Sequence, residues 1–507
     1  MMSLKMKSYV LLSLFGILTL LIAIHQFSPS IGVATNSVQT DINYESRYAG
    51  LDIEFVSKHS EDYTTSISKP VTSSQKVNEK IEAWLTEQEE QFLEDVHKLK
   101  SSGTLDVQAN LNIQLETNPL AEQQYHLLFH VYQFMGGANG QESLHSLTVD
   151  VASGKLITIE QILDTNHVQF TDIHTLLVNA LIEEGIDDIY QEELSTTMNN
   201  PSLWTWTTNE EGLTLHFDEY EIAAGSNGPI HVTLPFDEIS DYIKDDWKRV
   251  WELVEETPTE SEEQAEDEHH STDVHEPDQI IKEKEEQDPP QEDILFEPNQ
   301  LEKDGKYIAL TFDDGPHPRI TPQILETLES FDARATFYML GTQVDFYPEL
   351  AIEVALSGHE IGNHTMNHMN MTTLNREQLV RELADTTSMI EEVIGITPTT
   401  MRPPYGIYNQ QVVDVSTELN LAIVNWSVDS EDWRSREVGA IKEMVFKDAA
   451  NGRIVLFHDI HQATADALPA VMEQLQAEGY QFVTVSELLE LEQSNLDIGP
   501  HSRRVIE

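Results

Sequence analysis

The sequence of 507 residues contains no cysteine. Disulfide bonds are therefore excluded, and no thiolate can act as a nucleophile or as a metal ligand. Any metal site in this protein must be built from histidine, aspartate and glutamate side chains.

Basic residues are also scarce, with 29 Lys plus Arg against 89 Asp plus Glu and a formal net charge of −60. Binding to nucleic acid or to an anionic lipid surface depends on clustered cations, so neither is expected as a partner. The hydrophobic fraction of 39% supplies enough material for packed cores, so most of the chain is expected to fold. A chain of this length is expected to form at least two domains.

One long apolar run lies near the N-terminus. Lys5 and Lys7 precede residues 8–24, SYVLLSLFGILTLLIAI, and this order is typical of an export signal whose basic side stays in the cytoplasm. Extended to Phe27, the run approaches the roughly 20 residues that a helix needs to cross a bilayer. Residues 1–30 are interpreted as a membrane anchor, with a cleaved signal peptide as the alternative. The protein is expected on the extracellular face of the cytoplasmic membrane, or secreted after cleavage.

Two segments follow before the region that carries the chemistry. Residues 46–254 combine an amphipathic helical stripe with strands rich in aromatic residues, which predicts an α+β domain. Three histidines of this domain, His126, His130 and His145, lack a compact spacing and are interpreted as polar-face residues rather than metal ligands. Residues 255–295 are strongly acidic, which predicts a solvated linker. Because self-repulsion extends such a linker, the folded regions are expected to be tethered rather than rigidly docked.

Short apolar strands alternate with helical segments from Lys306 onward. This alternation predicts an α/β fold with a parallel sheet, and seven such strands favour a closed or nearly closed barrel. Chemistry in such barrels lies where the strands end and the loops begin. The polar residues at the predicted strand ends are Asp313, Asp314, Arg402, Asp429, Asp432 and His458.

Asp313 and Asp314 stand side by side at the end of the first of these strands. Two adjacent carboxylates in a partly dry pocket need positive charge nearby, and a metal ion is one source of it. His364 and His368 are four residues apart, a spacing that on a helical turn lets both imidazoles reach one ion. One aspartate and two histidines leave coordination positions open for water and substrate, as catalytic metal sites do.

Five ordered motifs of the chain resemble the polysaccharide deacetylase family, also called the NodB homology domain or carbohydrate esterase family 4. They are TFDDGP (311–316), HTMNH (364–368), RPPYG (402–406), DSEDW (429–433) and LFH (456–458). The resemblance implies a distorted (β/α) barrel over residues 296–492. It also implies metal-dependent hydrolysis of N-acetyl groups on sugar polymers, or of O-acetyl groups in a minority of members.

The resemblance also implies a role for each residue of the first motifs. Asp314, His364 and His368 are the implied metal ligands, for zinc first, with cobalt or manganese as alternatives. Asp313 is the implied general base, which takes a proton from the attacking water. Arg402 is expected to pair with Asp313 and to keep it ionised and oriented.

The remaining motifs supply the other implied parts of the site. The Tyr405 backbone N–H is expected to stabilise the oxyanion together with the metal. His458 is the implied general acid for the departing amine, and Asp432 beside it is expected to raise its pKa. Trp433 and Leu456 are expected to form the walls of an apolar pocket for the acetyl methyl group.

The N-terminal region carries a looser resemblance. The segments GGANG (136–140), VASGKLITIEQIL (151–163) and LHFDEYEIAAGSNGPIHVTLPFDEI (215–239) resemble the paired extracellular domains that precede the deacetylase barrel in PdaC-like proteins of Gram-positive bacteria. This architecture implies cell-wall peptidoglycan as the substrate, with N-acetylglucosamine or N-acetylmuramic acid as the sugar.

Two alternatives to this function remain open at this point. The alternative among enzymes is a deacetylase of chitin-type or exopolysaccharide glycans, or an acetyl xylan esterase. The alternative outside enzymes is a non-catalytic protein that binds or senses wall glycan. Asp313 and His458 favour an enzyme, because binding alone requires neither of them.

Overall fold

The computed structural model of the protein describes residues 44–137, 140–164, 171–186, 188–224, 228–251, 301–302, 305–493 and 505–506. The expected membrane anchor (1–30) and the expected linker (255–295) lie outside the described residues. Within those residues, no helix is long and apolar enough to span a bilayer. Residues 44–507 form one compact unit.

A six-stranded sheet with a long helix on one face forms the first part of this unit. The strands lie across the sheet in chain order, and β2 and β3 are parallel because a helix connects them. The helix, α1 (Gln75–Ser102), buries its apolar stripe, begins after the Ser74 cap and ends at Gly103 in the left-handed conformation. The strands are β1 Leu51–His59, β2 Tyr63–Thr72, β3 Ala109–Ala121, β4 Gln124–Phe134, β5 Gln141–Asp150 and β6 Lys155–Ile157.

A smaller sheet of three antiparallel strands follows, with a separate core formed by its apolar faces and the surrounding helices. Together the two sheets and their helices give the α+β architecture expected for this region. The helices and strands are α2 Ile159–Ile162, α3 Thr171–Glu183, α4 Gln191–Met198, β7 Thr205–Thr208, β8 Gly212–Phe217, β9 Ile230–Pro235, α5 Phe236–Ile239 and α6 Asp245–Val250, with 3₁₀ turns at Pro201–Leu203 and Ser240–Tyr242.

The histidines of this region have local partners. The two ring nitrogens of His126 lie 2.9 Å from the hydroxyls of Thr148 and Thr208. His130 pairs with a glutamate, and His145 stacks on Trp84. His126 and His130 lie on the face of β4 opposite the helix, as expected of polar-face residues. The expectation is wrong for His145, which lies beside Phe129 on the face that α1 covers.

The second part of the unit is a curled parallel sheet with helices on its outside. The strands are β10 Lys306–Asp313, β11 Thr336–Met339, β12 Glu360–Asn363, β13 Thr400–Met401, β14 Ala422–Val424, β15 Val428–Asp429, β16 Arg453–His458, β17 Tyr480–Val483 and β18 Val505–Ile506. The helices are α7 Thr321–Ser330, α8 Gly341–Phe346, α9 Pro348–Leu356, α10 Arg376–Ile394, α11 Gln410–Glu418, α12 Asp432–Ser435, α13 Val438–Asp448, α14 Gln462–Ala477 and α15 Val485–Gln493, with 3₁₀ turns at Met371–Thr373 and Pro404–Gly406.

The order across this sheet is β15-β16-β10-β11-β12-β13-β14-β18, and β17 also pairs with β10. The sheet is a half-barrel, so the expected closed or nearly closed barrel is wrong in this respect: in the described residues β14 and β15 do not pair. The predicted single strand AIVNWSV divides into β14 and β15, and polar side chains between them bond on either side. Asn425 donates to the Gly406 carbonyl, and the backbone N–H of Ile454 donates to the Ser427 hydroxyl.

The register of the half-barrel brings the chemical residues to one edge. Strand β10 is buried along almost its whole length, as expected for a strand covered on both faces. Its last residue, Asp313, pairs with Tyr338 on β11 and with His458 on β16. The prediction that polar residues gather at the carboxyl ends of the strands is confirmed for this pair.

One face of the six-stranded sheet packs on the half-barrel. Ser66 of β2 contacts His368, Asn112 of β3 donates to the Asn367 carbonyl, and Tyr132 of β4 donates to the Thr373 carbonyl. Helix α1 covers the opposite face. The expectation of tethered, undocked regions is therefore wrong, because a buried hydrogen-bonded surface joins them.

The hydrogen bond of Tyr132 offers a test of this docking. Tyr132→Phe removes a buried donor, which leaves the Thr373 carbonyl without this partner, and is expected to lower the free energy of unfolding by about 1–2 kcal/mol. Urea unfolding of the full chain measures the change. Tyr63→Phe is the control, since the Tyr63 hydroxyl makes no hydrogen bond within the described residues. Equal stability of the two variants would contradict the docking.

Candidate metal centre

Asp314, His364 and His368 form a buried group with the geometry of metal ligands. The Nε2 atoms of His364 and His368 lie 3.2 Å and 3.4 Å from Asp314 Oδ1. The spacing of the two histidines suggested a helical turn, but they do not lie on one. They belong to a bent loop after β12, in which Thr365 and His368 have φ values of 69° and 56°.

The hydrogen bonds of the two rings determine which nitrogen carries the proton. His364 Nδ1 lies 2.8 Å from the Arg402 carbonyl oxygen, which can only accept, so this Nδ1 carries the hydrogen. The Nδ1 of His368 lies 3.1 Å from Ser66 Oγ, and the Ser66 hydroxyl donates to the His368 carbonyl. His368 Nδ1–H is therefore the donor to Ser66, and in the neutral form of each ring the Nε2 atom holds the lone pair.

Three electron-rich atoms thus converge without a proton between them. Asp314 Oδ1 is buried and, within the described residues, accepts no hydrogen bond. An orphaned buried oxygen faced by two imidazole lone pairs is an unfavourable arrangement in the absence of a cation. The donor set of one carboxylate and two imidazoles fits a divalent transition ion such as zinc.

The pKa values of these ligands are consistent with metal binding. Burial alone raises the pKa of Asp314, but the nearby His368, His364 and His458 outweigh burial and hold it well below its usual range. Burial lowers the pKa of His368 to about 3, against the opposing charge of Asp314. The carboxylate is therefore ionised and the imidazole of His368 neutral at pH 7, which are the forms that bind a metal.

Asp313 lies beside the three ligands and is held by Arg402. Arg402 Nη1 donates to Asp313 Oδ1 at 2.7 Å and to the Thr311 hydroxyl at 2.7 Å. The guanidinium is fully buried, and it also donates to the Val424 carbonyl and lies over the Tyr338 ring. The other carboxylate oxygen, Asp313 Oδ2, lies 3.8 Å from His364 Nε2. Arg402 thus fixes one oxygen of Asp313 and leaves the other on the side of the metal ligands.

His458, at the end of β16, is paired with the buried Asp432. Its Nδ1 lies 2.7 Å from Asp432 Oδ1, and its backbone N–H donates to Asp432 Oδ2. Burial alone lowers the pKa of His458, but the charge and hydrogen bond of Asp432 outweigh it and raise the pKa to about 10. Burial likewise opposes ionisation of Asp432, yet His458 lowers its pKa to about 2. His458 is therefore an imidazolium at neutral pH.

The other expected site residues lie on neighbouring loops and strands. Tyr405 has a φ of 61° in its 3₁₀ turn, and its hydroxyl reaches the N-terminal sheet at Ser66. Leu456 is buried on β16 two residues before His458, and therefore on the same face of the strand. Trp433 is half-buried in α12. Their catalytic roles stay predictions.

Sequence reasoning missed two residues near the centre. Asp459 is buried, accepts a hydrogen bond from the Thr321 hydroxyl, and donates its backbone N–H to the Asp313 carbonyl. Burial raises the pKa of Asp459 to about 7. Its position directly after the LFH motif was an available signal. Ser66 is the second missed residue, and the sequence around it gives no comparable signal.

The Asp432–His458 pair predicts a specific titration. In the unfolded chain His458 has its ordinary pKa of 6.5, so the bound proton stabilises the fold fully below pH 6.5, and this contribution is lost as the pH rises through about 10. Asp432→Asn removes the charge that raises the pKa. The pKa of His458 in the metal-free full chain, measured by NMR of labelled histidine, is expected to fall by more than about one unit.

Glu431→Gln is the matched control, because Glu431 is the adjacent carboxylate and pairs with Arg434 instead of His458. An unchanged pKa of His458 in Asp432→Asn, or an equal fall in both variants, would contradict the assignment.

Comparisons with known proteins agree with this geometry. The family model described as "Polysaccharide deacetylase" matches residues 300–424, and the model "Protein of unknown function (DUF3298)" matches residues 178–237. The chain is 28% identical over 492 residues to the peptidoglycan-N-acetylmuramic acid deacetylase PdaC of Bacillus subtilis, covering 95% of this chain and 97% of that protein.

A second relative has a higher sequence identity but matches only the half-barrel region. It is a peptidoglycan-N-acetylglucosamine deacetylase of Bacillus cereus, 40% identical over 195 residues, which are 38% of this chain and 91% of that protein. A solved structure of peptidoglycan deacetylase PdaC from Bacillus subtilis is 39% identical, with a TM-score of 0.37, and covers 38% of this chain and 95% of that chain. The identity to the Bacillus cereus protein over nearly its whole length shows that the chain belongs to the polysaccharide deacetylase family and is a hydrolytic N-deacetylase.

Proposed function

We propose that the chain removes N-acetyl groups from the amino sugars of cell-wall peptidoglycan and that it needs a divalent metal ion to do so. The observation that carries this proposal is the convergence of Asp314 Oδ1 with two imidazole lone pairs, from His364 and His368. Zinc is the ion that this donor set favours first, with cobalt or manganese as alternatives.

The residues around the ligands fit the two proton transfers of amide hydrolysis. A divalent ion supplies positive charge that lowers the pKa of water and stabilises negative charge on the acetyl oxygen. Asp313, held at Oδ1 by Arg402, accepts the proton of the attacking water through Oδ2. His458 starts as an imidazolium because of Asp432, and it gives its proton to the nitrogen of the leaving amine.

Three further residues complete the proposed site. The backbone N–H of Tyr405 donates to the acetyl oxygen as negative charge develops on it. Leu456 and Trp433 enclose the acetyl methyl group. The proposed base and acid are held by separate buried partners, Asp313 by Arg402 and His458 by Asp432.

Peptidoglycan is proposed as the substrate because two relatives of the chain are named as deacetylases of this polymer. PdaC, which is similar over almost the whole chain, is named as an N-acetylmuramic acid deacetylase, and the Bacillus cereus relative as an N-acetylglucosamine deacetylase. The two names support the same polymer and differ in the sugar.

Export is part of the same proposal. Lys5, Lys7 and the apolar run at residues 8–24 support delivery to the outer face of the cytoplasmic membrane, anchored or secreted, where the wall is assembled. Protease treatment of cells stripped of their wall is expected to digest the protein, and its full protection would contradict this localisation.

The substrate proposal is tested with purified peptidoglycan. The full chain is expected to release acetate in a reaction that a chelator abolishes and added zinc restores. Mass spectrometry of the muropeptides then assigns the loss of each acetyl group to one of the two sugars. Release only from chitin oligomers or acetylated xylan would overturn peptidoglycan as the substrate, and metal-independent release would overturn the metal requirement.

The division of roles predicts different effects for two substitutions. Asp313→Asn is expected to lower turnover by about 100-fold or more, because it removes the base, while metal content stays near the wild-type value. His364→Ala is expected to lose both metal and turnover, because it removes a ligand. Metal analysis and acetate release measure the two effects on the purified full chain.

His359→Ala is the control for loss of a buried histidine. His359 Nδ1 accepts the backbone N–H of Ala335, away from the three ligands, so this variant is expected to keep its metal. Equal metal loss in Asp313→Asn and His364→Ala would show that the assigned roles are wrong.

A further inference from the structure

Strand β2 of the N-terminal sheet reaches the metal centre with one side chain. Ser66 is 1% exposed, and its Oγ lies 3.1 Å from His368 Nδ1, 2.7 Å from the His368 carbonyl oxygen and 2.5 Å from the Tyr405 hydroxyl. A single hydroxyl of one domain therefore contacts both a metal ligand and the RPPYG turn of the other.

The directions of these hydrogen bonds follow from the groups involved. The carbonyl of His368 can only accept, so the one hydroxyl hydrogen of Ser66 is directed to it. The lone pairs of Ser66 Oγ are then free to accept from His368 Nδ1–H. The Tyr405 hydroxyl also lies beside Ser66 Oγ, and it donates to the Thr65 carbonyl. The contact thus requires the tautomer of His368 that has its proton on Nδ1 and a free lone pair on Nε2.

The conformation of His368 needs support of this kind. Its φ of 56° lies in the left-handed region, which is strained for a residue other than glycine. Three contacts hold it: the Thr365 hydroxyl accepts its backbone N–H, Ser66 binds its carbonyl, and the Phe55 ring packs against its imidazole. Two of these three come from the N-terminal sheet.

We propose that Ser66 is a positioning residue for the metal ligand His368, so that the N-terminal domain completes the metal centre of the deacetylase domain. The hydroxyl fixes both the tautomer and the direction of the ring, which directs Nε2 at Asp314 Oδ1. Partners of this kind typically change metal affinity or activity by about 10–100-fold when they are removed. The inference rests on the metal-dependent function proposed above.

Through Ser66 the N-terminal sheet takes part in the metal centre of the other domain. His364 Nδ1–H donates to the Arg402 carbonyl, a backbone group of its own domain. His368 Nδ1–H donates instead to Ser66 Oγ, 302 positions away in the chain. The direction of the His368 ring therefore depends on one side chain that the N-terminal sheet supplies.

Metal binding by the full chain tests the proposal. Zinc affinity is measured by competition with a chromophoric chelator, and the visible spectrum of the cobalt-loaded protein reports ligand geometry. Ser66→Ala is expected to weaken zinc binding by about 10-fold or more and to change the cobalt spectrum, because the His368 ring loses its Nδ1 acceptor.

Two variants serve as controls. Ser68→Ala removes a buried serine from the same strand and the same face, and in the described residues the Ser68 hydroxyl makes no hydrogen bond to the half-barrel. Asn112→Ala removes a docking bond to the neighbouring Asn367 without touching His368. Both are expected to bind zinc within about two-fold of wild type and to keep its cobalt spectrum.

Wild-type zinc affinity and an unaltered cobalt spectrum in Ser66→Ala would overturn the positioning role while the metal proposal stands. Equal weakening in Ser66→Ala and Asn112→Ala would also overturn it, since docking alone would then account for the effect. A wild-type chain that binds neither ion would instead overturn the metal-dependent function itself.

Discussion

The Nδ1 hydrogen bonds of His364 and His368 set the direction of both rings, and the rest of the site depends on them. With each Nδ1 proton donated to a fixed oxygen, the two Nε2 lone pairs face Asp314 Oδ1 at 3.2 Å and 3.4 Å. Rings free to turn would lose this convergence, and the buried carboxylate would then favour protonation over ionisation. The fold supplies the two acceptors from different places: the Arg402 carbonyl after β13 and the hydroxyl of Ser66 on β2.

Charge pairing around this centre separates the tasks of the remaining residues. Asp313 pairs with the fully buried Arg402, and His458 pairs with the fully buried Asp432. Removing one member of such a pair leaves an uncompensated buried charge and typically costs about 3–5 kcal/mol. The same two pairs that secure the carboxyl edge of the sheet also fix Asp313 Oδ1 and keep His458 protonated at neutral pH. The Asp313–Arg402 and Asp432–His458 pairs thus contribute both to stability and to the proposed catalytic function.

Much of the half-barrel is visible in the sequence because its signals are local. The apolar run before Asp313 predicts a buried strand, and the carboxylates directly after it are brought to the strand edge by the chain itself. The prediction of a helical turn for HTMNH is wrong because Thr365 and His368 adopt positive φ values. Neither residue type indicates such a conformation in the sequence. The gap between β14 and β15 was not visible in the sequence, because Asn425 and Ser427 bond on either side of it to partners that are distant in the chain, the Gly406 carbonyl and Ile454.

The docking of the N-terminal sheet on the half-barrel could not be predicted from the sequence, because it depends on contacts between residues that are distant in the chain. Ser66 and Asn112 are short polar residues that alternate with apolar ones along their strands, a pattern that ordinarily indicates a solvent-facing side. Both are buried here, because the half-barrel covers that side. A strongly acidic segment between the domains favours separation, yet specific hydrogen bonds and packing decide the arrangement. Only the folded chain shows that one of these polar residues contacts a metal ligand.

Anomalous X-ray diffraction at the zinc edge, from crystals of the full chain grown with zinc, tests the central claim most directly. One strong peak is expected, bound by Asp314 Oδ1 and by the Nε2 atoms of His364 and His368, with Ser66 Oγ still within hydrogen-bonding distance of His368 Nδ1. A peak at other residues, or a His368 ring turned so that Nδ1 faces the ion, would contradict it.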